Sequence, residues 1–179
     1  DPSVLEEIAR MKEKNIVVEI LRKLMAEQIA IYKRTNVVQA TNFSEKITLL
    51  MNTYYNGLIT NEEVIKDLLK TAEEINALRK EGEKLGLSEE ELAFYDALTK
   101  PEHIKDFYEN ETLIALTREL TEMLRKNRTI DWQKKETARA GMRKMVKRLL
   151  KKYKYPPEKC EDAVETVMSQ CELWTDNMT

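Results

Sequence analysis

"TIDWQKKETARAGMRKMVKRLLKKYKYPP", residues 129–157, combines a helical repeat of apolar residues with a dense run of basic ones. At about 100° per residue, one side of a helix would carry the apolar residues Ala138, Met142, Met145, Val146, Leu149 and Leu150. The opposite side would carry the basic residues Arg143, Lys144, Lys147, Arg148, Lys151 and Lys152. Two prolines close the segment. The pattern predicts an amphipathic helix that packs on one side and displays charge on the other.

Apolar residues at the same three-and-four spacing recur along the rest of the chain. They mark helical segments within residues 15–34, 43–58, 64–86, 88–98, 113–127 and 160–174. The 179 residues include only four glycines and four prolines, and 42% of the residues are hydrophobic, which favours folded helix over disorder or an all-β fold. We therefore predict an all-α fold: a single domain over residues 1–179, with about six to eight helices in a bundle-like packing.

Capping and turn signals set the expected helix boundaries. Three capping boxes are predicted, at Ser3 with Glu6, Thr60 with Glu63, and Ser88 with Glu91. Residues 36–42 are expected to turn the chain. The stripe of residues 43–58 is expected to include Leu58, with Asn56-Gly57 as its stop signal, and Gly86 suits the end of the following helix.

The apolar runs, the first residue and the two cysteines indicate what class of protein this is. No apolar run is long enough to span a bilayer, so we expect a soluble, cytoplasmic protein. The chain begins with Asp1 instead of Met, which suggests a segment of a longer protein, although processing gives the same start. Cys160 and Cys171 are eleven positions apart on one helical pattern, about 16 Å along the axis, so they are expected to be free, buried thiols.

Sequence motifs for catalysis are absent. The glycines match no phosphate-binding loop, so no nucleotide site of that class is expected. His103 is the only histidine and lies beside a helix break without a triad signature, which favours a turn or surface role. A metal site would need more ligands than one histidine and two cysteines provide. We therefore assign no catalytic residue and no metal ligand in this chain.

Charge is distributed unevenly along the sequence. Residues 125–154 contain thirteen Lys or Arg and two acids, a net charge of +11, whereas the remainder has seventeen Lys or Arg and thirty acids, a net charge of −13. Three interpretations stay open for the basic helix: a solvated face neutralised by acidic neighbours, a contact to a phosphate backbone, and a dock for an acidic protein surface. No aromatic residues interleave the basic ones, so base stacking is not indicated.

Three segments together resemble a known family. They are "EILRKLM" at residues 19–25, "EGEKLGLSEEELAFYDAL" at residues 81–98, and the basic segment at residues 129–157. In this order they are similar to the C-terminal helical domain of the R subunit, the motor and endonuclease subunit of type I restriction enzymes. The resemblance runs from about Val4 to Trp174.

The resemblance implies a parent protein with an endonuclease domain and two helicase-like ATPase domains, which uses ATP and Mg²⁺ to translocate and restrict DNA. None of that machinery is expected in this chain. The implied role of the domain is non-catalytic: it docks the motor subunit onto the modification and specificity subunits of the methyltransferase core, and contacts double-stranded DNA. The alternative is a purely protein–protein docking domain without DNA contact.

The basic helix supplies the candidate DNA-binding residues. They are Arg139, Arg143, Lys144, Lys147, Arg148, Lys151 and Lys152. We expect them to bind the phosphate backbone without sequence preference, because surface ion pairs contribute only about 0 to 1 kcal/mol each and give little reason to gather so many like charges. Trp132 is expected to be an anchor in the core or at the partner interface.

Overall fold

The computed structural model describes residues 1–3, 14–129 and 131–177. Within these residues the chain forms eight α-helices and one short 3-10 helix, and it forms no β-strand. The elements in chain order are α1 (Lys14–Thr35), α2 (Val37–Tyr55), α3 (Asn61–Leu85), α4 (Glu89–Thr99), α5 (Ile104–Phe107), α6 (Asn110–Asn127), the 3-10 helix (Trp132–Lys134), α7 (Glu136–Lys152) and α8 (Pro157–Asp176). The predicted all-α class and helix number are confirmed.

The chain divides into two compact units. The first unit comprises Asp1–Lys33 and Ala40–Glu81, and the second comprises Arg34–Gln39 and Gly82–Thr179. Each unit has its own cluster of buried apolar residues. The expectation that residues 1–179 form a single domain stays a prediction.

The core of the first unit is formed by α1, α2 and α3. Its most buried side chains are Val17, Val18, Leu21, Val64 and Leu68, all with no exposed surface. Tyr32 packs against this core and stacks on Phe43 with the ring centroids 5.8 Å apart, whereas 42% of Ile31 is exposed.

The core of the second unit is formed mainly by α4, α6, α7 and α8. Its fully buried residues include Phe94, Leu98, Leu116, Leu120, Leu124, Val146, Leu150, Val164 and Val167. The predicted apolar stripes of these four helices are therefore confirmed as core faces. None of the helices described is long and apolar enough to cross a membrane.

Two of the three predicted capping boxes can be compared with the structure. Ser88 forms the complete box: its hydroxyl accepts from the Glu91 N–H at 3.2 Å, and the Glu91 carboxylate accepts from the Ser88 N–H at 2.9 Å. Thr60 accepts from the Glu63 N–H at 3.1 Å. The first box involves Glu6, which lies outside the described residues.

Two boundary predictions were wrong. A turn was expected over residues 36–42, but α2 begins at Val37, so only Asn36 interrupts the helices. Asn36 caps α2, because its side-chain oxygen accepts from the Gln39 N–H at 3.1 Å. Leu58 was expected on the apolar stripe, but it follows Gly57, which has a φ of 73° and ends the helical path, and 74% of Leu58 is exposed.

Candidate nucleic-acid interface

Helix α7 is anchored at its start by the 3-10 helix that precedes it. The indole of Trp132 is only 1% exposed, and its Nε1–H donates to Thr175 Oγ1 at 2.9 Å. The next residue, Gln133, donates from Nε2 to Asp176 Oδ1 at 2.8 Å. Both acceptors lie at the end of α8, so these bonds fix where α7 begins.

The apolar side of α7 is buried as predicted. Met142, Val146, Leu149 and Leu150 are each at most 6% exposed, and Ala138 and Met145 are half-buried. After the helix ends, the hydroxyl of Tyr155 donates to the Leu98 carbonyl at 2.7 Å, and burial raises the pKa of this phenol. The helix therefore presents its polar side to solvent from a fixed position.

Three of the candidate cations on α7 are paired with acids on α8. Arg139 pairs with Glu172 and also donates to the Gln133 carbonyl at 3.2 Å. Arg143 pairs with Glu165. The Lys147 ammonium lies 2.9 Å from a Glu161 carboxylate oxygen. These pairs form a ladder along one flank of α7, about one helical turn apart on the α7 side.

The ion pair between Arg143 and Glu165 also shifts the pKa of both groups. The hydrogen bond to Glu165 raises the pKa of the Arg143 guanidinium, and the same bond lowers the pKa of the Glu165 carboxyl. Both groups are therefore held in their charged forms. This flank of α7 fits the interpretation of a face neutralised by acidic neighbours.

A fourth candidate cation is paired on the opposite flank. The Lys152 ammonium lies 2.8 Å from Glu119 Oε1 on α6, and the Tyr153 hydroxyl donates to Glu119 Oε2 at 2.5 Å. These two hydrogen bonds lower the pKa of the Glu119 carboxyl. The bond to Glu119 raises the pKa of Tyr153 to about 12. Glu119 is thus a shared acceptor that ties the end of α7 to α6.

The remaining three candidates lie together and have no acidic partner among the described residues. Lys144, Arg148 and Lys151 are exposed, and no carboxylate of the described residues lies within ion-pair distance of them. Their spacing of four and three residues places them within about 60° of one another around the helix. We call these three residues the α7 ridge. The paired Lys147 and Lys152 border it on either side.

Trp132 was expected in the core or at a partner interface, and it is a core residue. Because only 1% of it is exposed, the indole can act on a partner only by fixing the residues around it. Its role as an interface residue stays a prediction.

Arg125 and Arg128 belong to the strongly basic stretch of residues 125–154, but the sequence did not indicate their surroundings. The guanidinium of Arg128 lies 3.5 Å from the centroid of the Trp174 ring, and that of Arg125 lies 5.5 Å from it. Arg128 Nη1 is buried without a hydrogen-bond partner among the described atoms, and burial lowers the pKa of this guanidinium. These stacking contacts join α8 to residues far away in sequence, so periodicity could not reveal them.

A cavity of about 190 Å³ in the second unit also borders Trp174. Its lining includes Phe94, Gln170, Glu89 and Glu90. Arg34 also lines this cavity, but the two carboxylates outweigh its single positive charge and disfavour an anionic ligand there. The ridge on α7 is therefore the better candidate for contact with a polyanion.

The groups that sequence analysis considered for catalysis are dispersed. His103 is exposed at a turn with a φ of 68°, and its Nδ1 lies 3.3 Å from Asp106 Oδ2. Cys160 and Cys171 are both free thiols, as predicted, but only Cys171 is buried as expected, whereas Cys160 is half-buried. In the part of the chain that the structure describes, no group of three or more His, Cys, Asp or Glu side chains could hold a metal ion.

Comparison with known proteins identifies a set of relatives. Residues 1–177 match the family model described as type I restriction enzyme HindI endonuclease subunit-like, C-terminal. No solved structure matches the chain significantly.

Two curated proteins are similar over most of the chain. The type I restriction enzyme HindI endonuclease subunit of Haemophilus influenzae is 38% identical over 175 residues, which cover 98% of this chain and 17% of that protein. The putative type I restriction enzyme MjaIXP endonuclease subunit of Methanocaldococcus jannaschii is 32% identical over 149 residues, which cover 83% of this chain and 14% of that protein. The chain thus spans less than a fifth of either relative.

Proposed function

Since the chain belongs to the C-terminal family of HindI-like type I restriction endonuclease subunits, we propose that it is a non-catalytic assembly domain. It docks the motor and endonuclease subunit onto the modification and specificity subunits of the methyltransferase core. The observation that carries the proposal is the family match, which covers residues 1–177 and corresponds to a C-terminal part of much longer endonuclease subunits. ATP-driven translocation and DNA cleavage, with ATP and Mg²⁺, are properties that we assign to other segments of the parent subunit.

Exposed apolar residues support protein docking through the first unit. Among the described residues, six large hydrophobic side chains are exposed, and five of them belong to this unit: Ile16, Ile31, Leu49, Tyr55 and Leu58. Burial of exposed apolar and aromatic side chains by a protein partner makes a large contribution to the free energy of binding. We propose that this unit supplies the contact to the methyltransferase subunits.

The second unit supports contact with DNA. Its helix α7 displays the three cations of the ridge, and it contains no aromatic side chain that could stack on bases. Cations without base-reading groups give sequence-independent binding that weakens with salt. We propose that α7 contacts the phosphate backbone of double-stranded DNA as a secondary contribution to assembly.

Deletion of this segment from the parent subunit tests the docking role. We expect the truncated subunit to fail to assemble with the methyltransferase subunits in gel filtration, while it still hydrolyses ATP to some degree. The retained ATP hydrolysis shows that the rest of the subunit is folded. Unimpaired assembly after the deletion would refute the proposal. Assembly that depends on the segment but does not change on addition of DNA would favour the purely protein–protein alternative.

A further inference from the structure

The seven basic candidates on α7 fall into two classes by their contacts. Four of them, Arg139, Arg143, Lys147 and Lys152, already have carboxylate partners on α8 or α6. A phosphate would have to compete with that carboxylate for each of these cations. Lys144, Arg148 and Lys151 face no such competition from the described residues. The sequence could not separate the two classes, because every acid involved lies on another helix.

We propose that the α7 ridge, Lys144, Arg148 and Lys151, is the surface that binds the phosphodiester backbone of duplex DNA, and that the four paired cations are instead neutralised by carboxylates of α8 and α6. This inference rests on the proposed DNA contact and specifies which cations make it. The net charge of residues 125–154 therefore overstates the charge available to a ligand.

The geometry of the ridge suits a line of phosphates. From Lys144 to Lys151 the helix rises about 10.5 Å, with Arg148 between them, because each residue adds about 1.5 Å. A DNA duplex carries one negative charge per about 1.7 Å of its axis, so a row of this length faces several phosphates in any register. A protein surface on which both signs of charge are interspersed would place basic groups opposite parts of this row. The uninterrupted row therefore favours a phosphodiester backbone over an acidic protein.

The ridge is also held in place before any ligand arrives. The start of α7 is fixed by the Trp132 bond to Thr175, and its end is fixed by the Lys152 pair with Glu119. The two pairs that border the ridge, Lys147 with Glu161 and Lys152 with Glu119, leave no net charge beside it. Binding then needs only the ordering of three side chains, and not the folding of a segment.

Two triple variants of the chain form a matched test. The ridge variant is Lys144→Gln, Arg148→Gln and Lys151→Gln, and the control is Arg139→Gln, Lys147→Gln and Lys152→Gln. Each removes two lysines and one arginine from the same helix, so both lose the same net charge. Binding of a short fluorescein-labelled duplex is measured by anisotropy at two salt concentrations, after circular dichroism has confirmed that both variants are helical.

We expect the ridge variant to lose about tenfold or more in affinity at the lower salt concentration, and its salt slope to fall by about 2 to 3, because each lost phosphate contact removes about 0.9 from the slope. The affinity of the control should stay within about threefold of that of the unmodified chain, with an unchanged salt slope.

Equal losses of affinity in both variants would overturn the inference, because they would show that the overall positive charge of α7 binds DNA and not the ridge in particular. Failure of the unmodified chain to bind DNA would refute the proposed DNA contact itself. Competition by polyglutamate as effective as that by unlabelled duplex would assign the ridge to an acidic protein.

If the control triple loses its helix, a milder control replaces it. Lys147→Gln alone is then compared with Lys151→Gln alone, since both are single lysines on α7 and only Lys147 is paired. We expect only Lys151→Gln to weaken DNA binding.

Discussion

Gln170 accepts a hydrogen bond from the main-chain N–H of Val37 at 2.8 Å, across 133 positions of the chain. The same side-chain amide donates from Nε2 to the carbonyl of Thr35 at 2.9 Å. Gln170 is only 2% exposed. Its amide therefore satisfies one main-chain group at the end of α1 and one at the start of α2, where the helical hydrogen bonds are interrupted. Asp96 adds to this junction by accepting from the Asn36 side chain at 2.8 Å.

Replacement of Gln170 by Leu should destabilise the chain by about 2 kcal/mol or more, because it removes the hydrogen bonds that this buried side chain makes to the Val37 N–H and the Thr35 carbonyl. The measurement is the free energy of unfolding from urea titration followed by circular dichroism. Ser169→Leu, at the exposed neighbouring position of α8, is the control, and we expect a change of about 0.5 kcal/mol or less. Equal effects of the two substitutions would show that the junction is not held by Gln170.

The bond between Trp132 and Thr175 should couple the two residues energetically. Trp132→Phe removes the donor and part of the buried ring, and Thr175→Val leaves the indole N–H unsatisfied, so each should destabilise by about 1 to 3 kcal/mol. In the double variant the two losses should be less than additive, because the shared bond can be lost only once. Strict additivity in urea unfolding would contradict the assigned bond.

The sequence predicted those parts of the fold that depend on local signals. Ser88, Gly86 and the apolar repeats placed α3, α4, α6 and α7 close to their observed bounds. It did not predict α5, which has only four residues and so no helical repeat. It also placed a turn over residues 36–42, because the groups that allow α2 to begin at Val37 include Gln170, which is remote in sequence.

For the candidate site too, the sequence predicted only the part that depends on local signals. Helical periodicity correctly placed Met142 and Val146 inside and the basic residues outside. It could not show that Glu165 and Glu161 of α8, or Glu119 of α6, would neutralise some of those cations, because ion pairs between helices depend on packing. The division between the ridge and the paired cations became visible only in the structure.

Stability should fall in alkaline solution. Burial raises the pKa of the Cys171 thiol to about 12 from an ordinary value of 9.0, and burial raises that of Tyr108 to about 12 from 10.0. The folded state therefore holds these protons more tightly than the unfolded state does. Their stabilising effect is complete below about pH 9 and is lost progressively as the pH rises toward 12.

The urea midpoint should accordingly be level between neutral pH and about pH 9 and should decline above it. Cys171→Ala should make this decline shallower. Cys160→Ala is the matched control on the same helix: burial also raises the pKa of this thiol, but Cys160 is only half-buried, so the substitution should change the decline less than Cys171→Ala does. A midpoint that stays level above pH 10, or the same slope in Cys171→Ala, would contradict this assignment.

Exposed leucines of the first unit should matter for assembly more than for stability. Leu49 and Leu58 are 70% and 74% exposed, so Leu49→Glu with Leu58→Glu should change the free energy of unfolding by about 0.5 kcal/mol or less per site. We expect the double variant to bind the methyltransferase subunits at least tenfold more weakly, by about 1.4 kcal/mol, with duplex affinity unchanged. Phe107→Glu, at the exposed phenylalanine of the second unit, is the control. If Phe107→Glu weakens assembly more than the double leucine variant does, the docking surface lies on the second unit instead.

The most direct measurement of the central claim is the association of this chain with purified methyltransferase subunits in the absence of DNA, followed by analytical ultracentrifugation. We expect a complex that sediments faster than either component and that persists when the ridge carries Lys144→Gln, Arg148→Gln and Lys151→Gln. Addition of duplex DNA should strengthen the complex of the unmodified chain and have a smaller effect on the ridge variant. If the folded chain does not associate with the methyltransferase subunits, with or without DNA, the assembly role is contradicted.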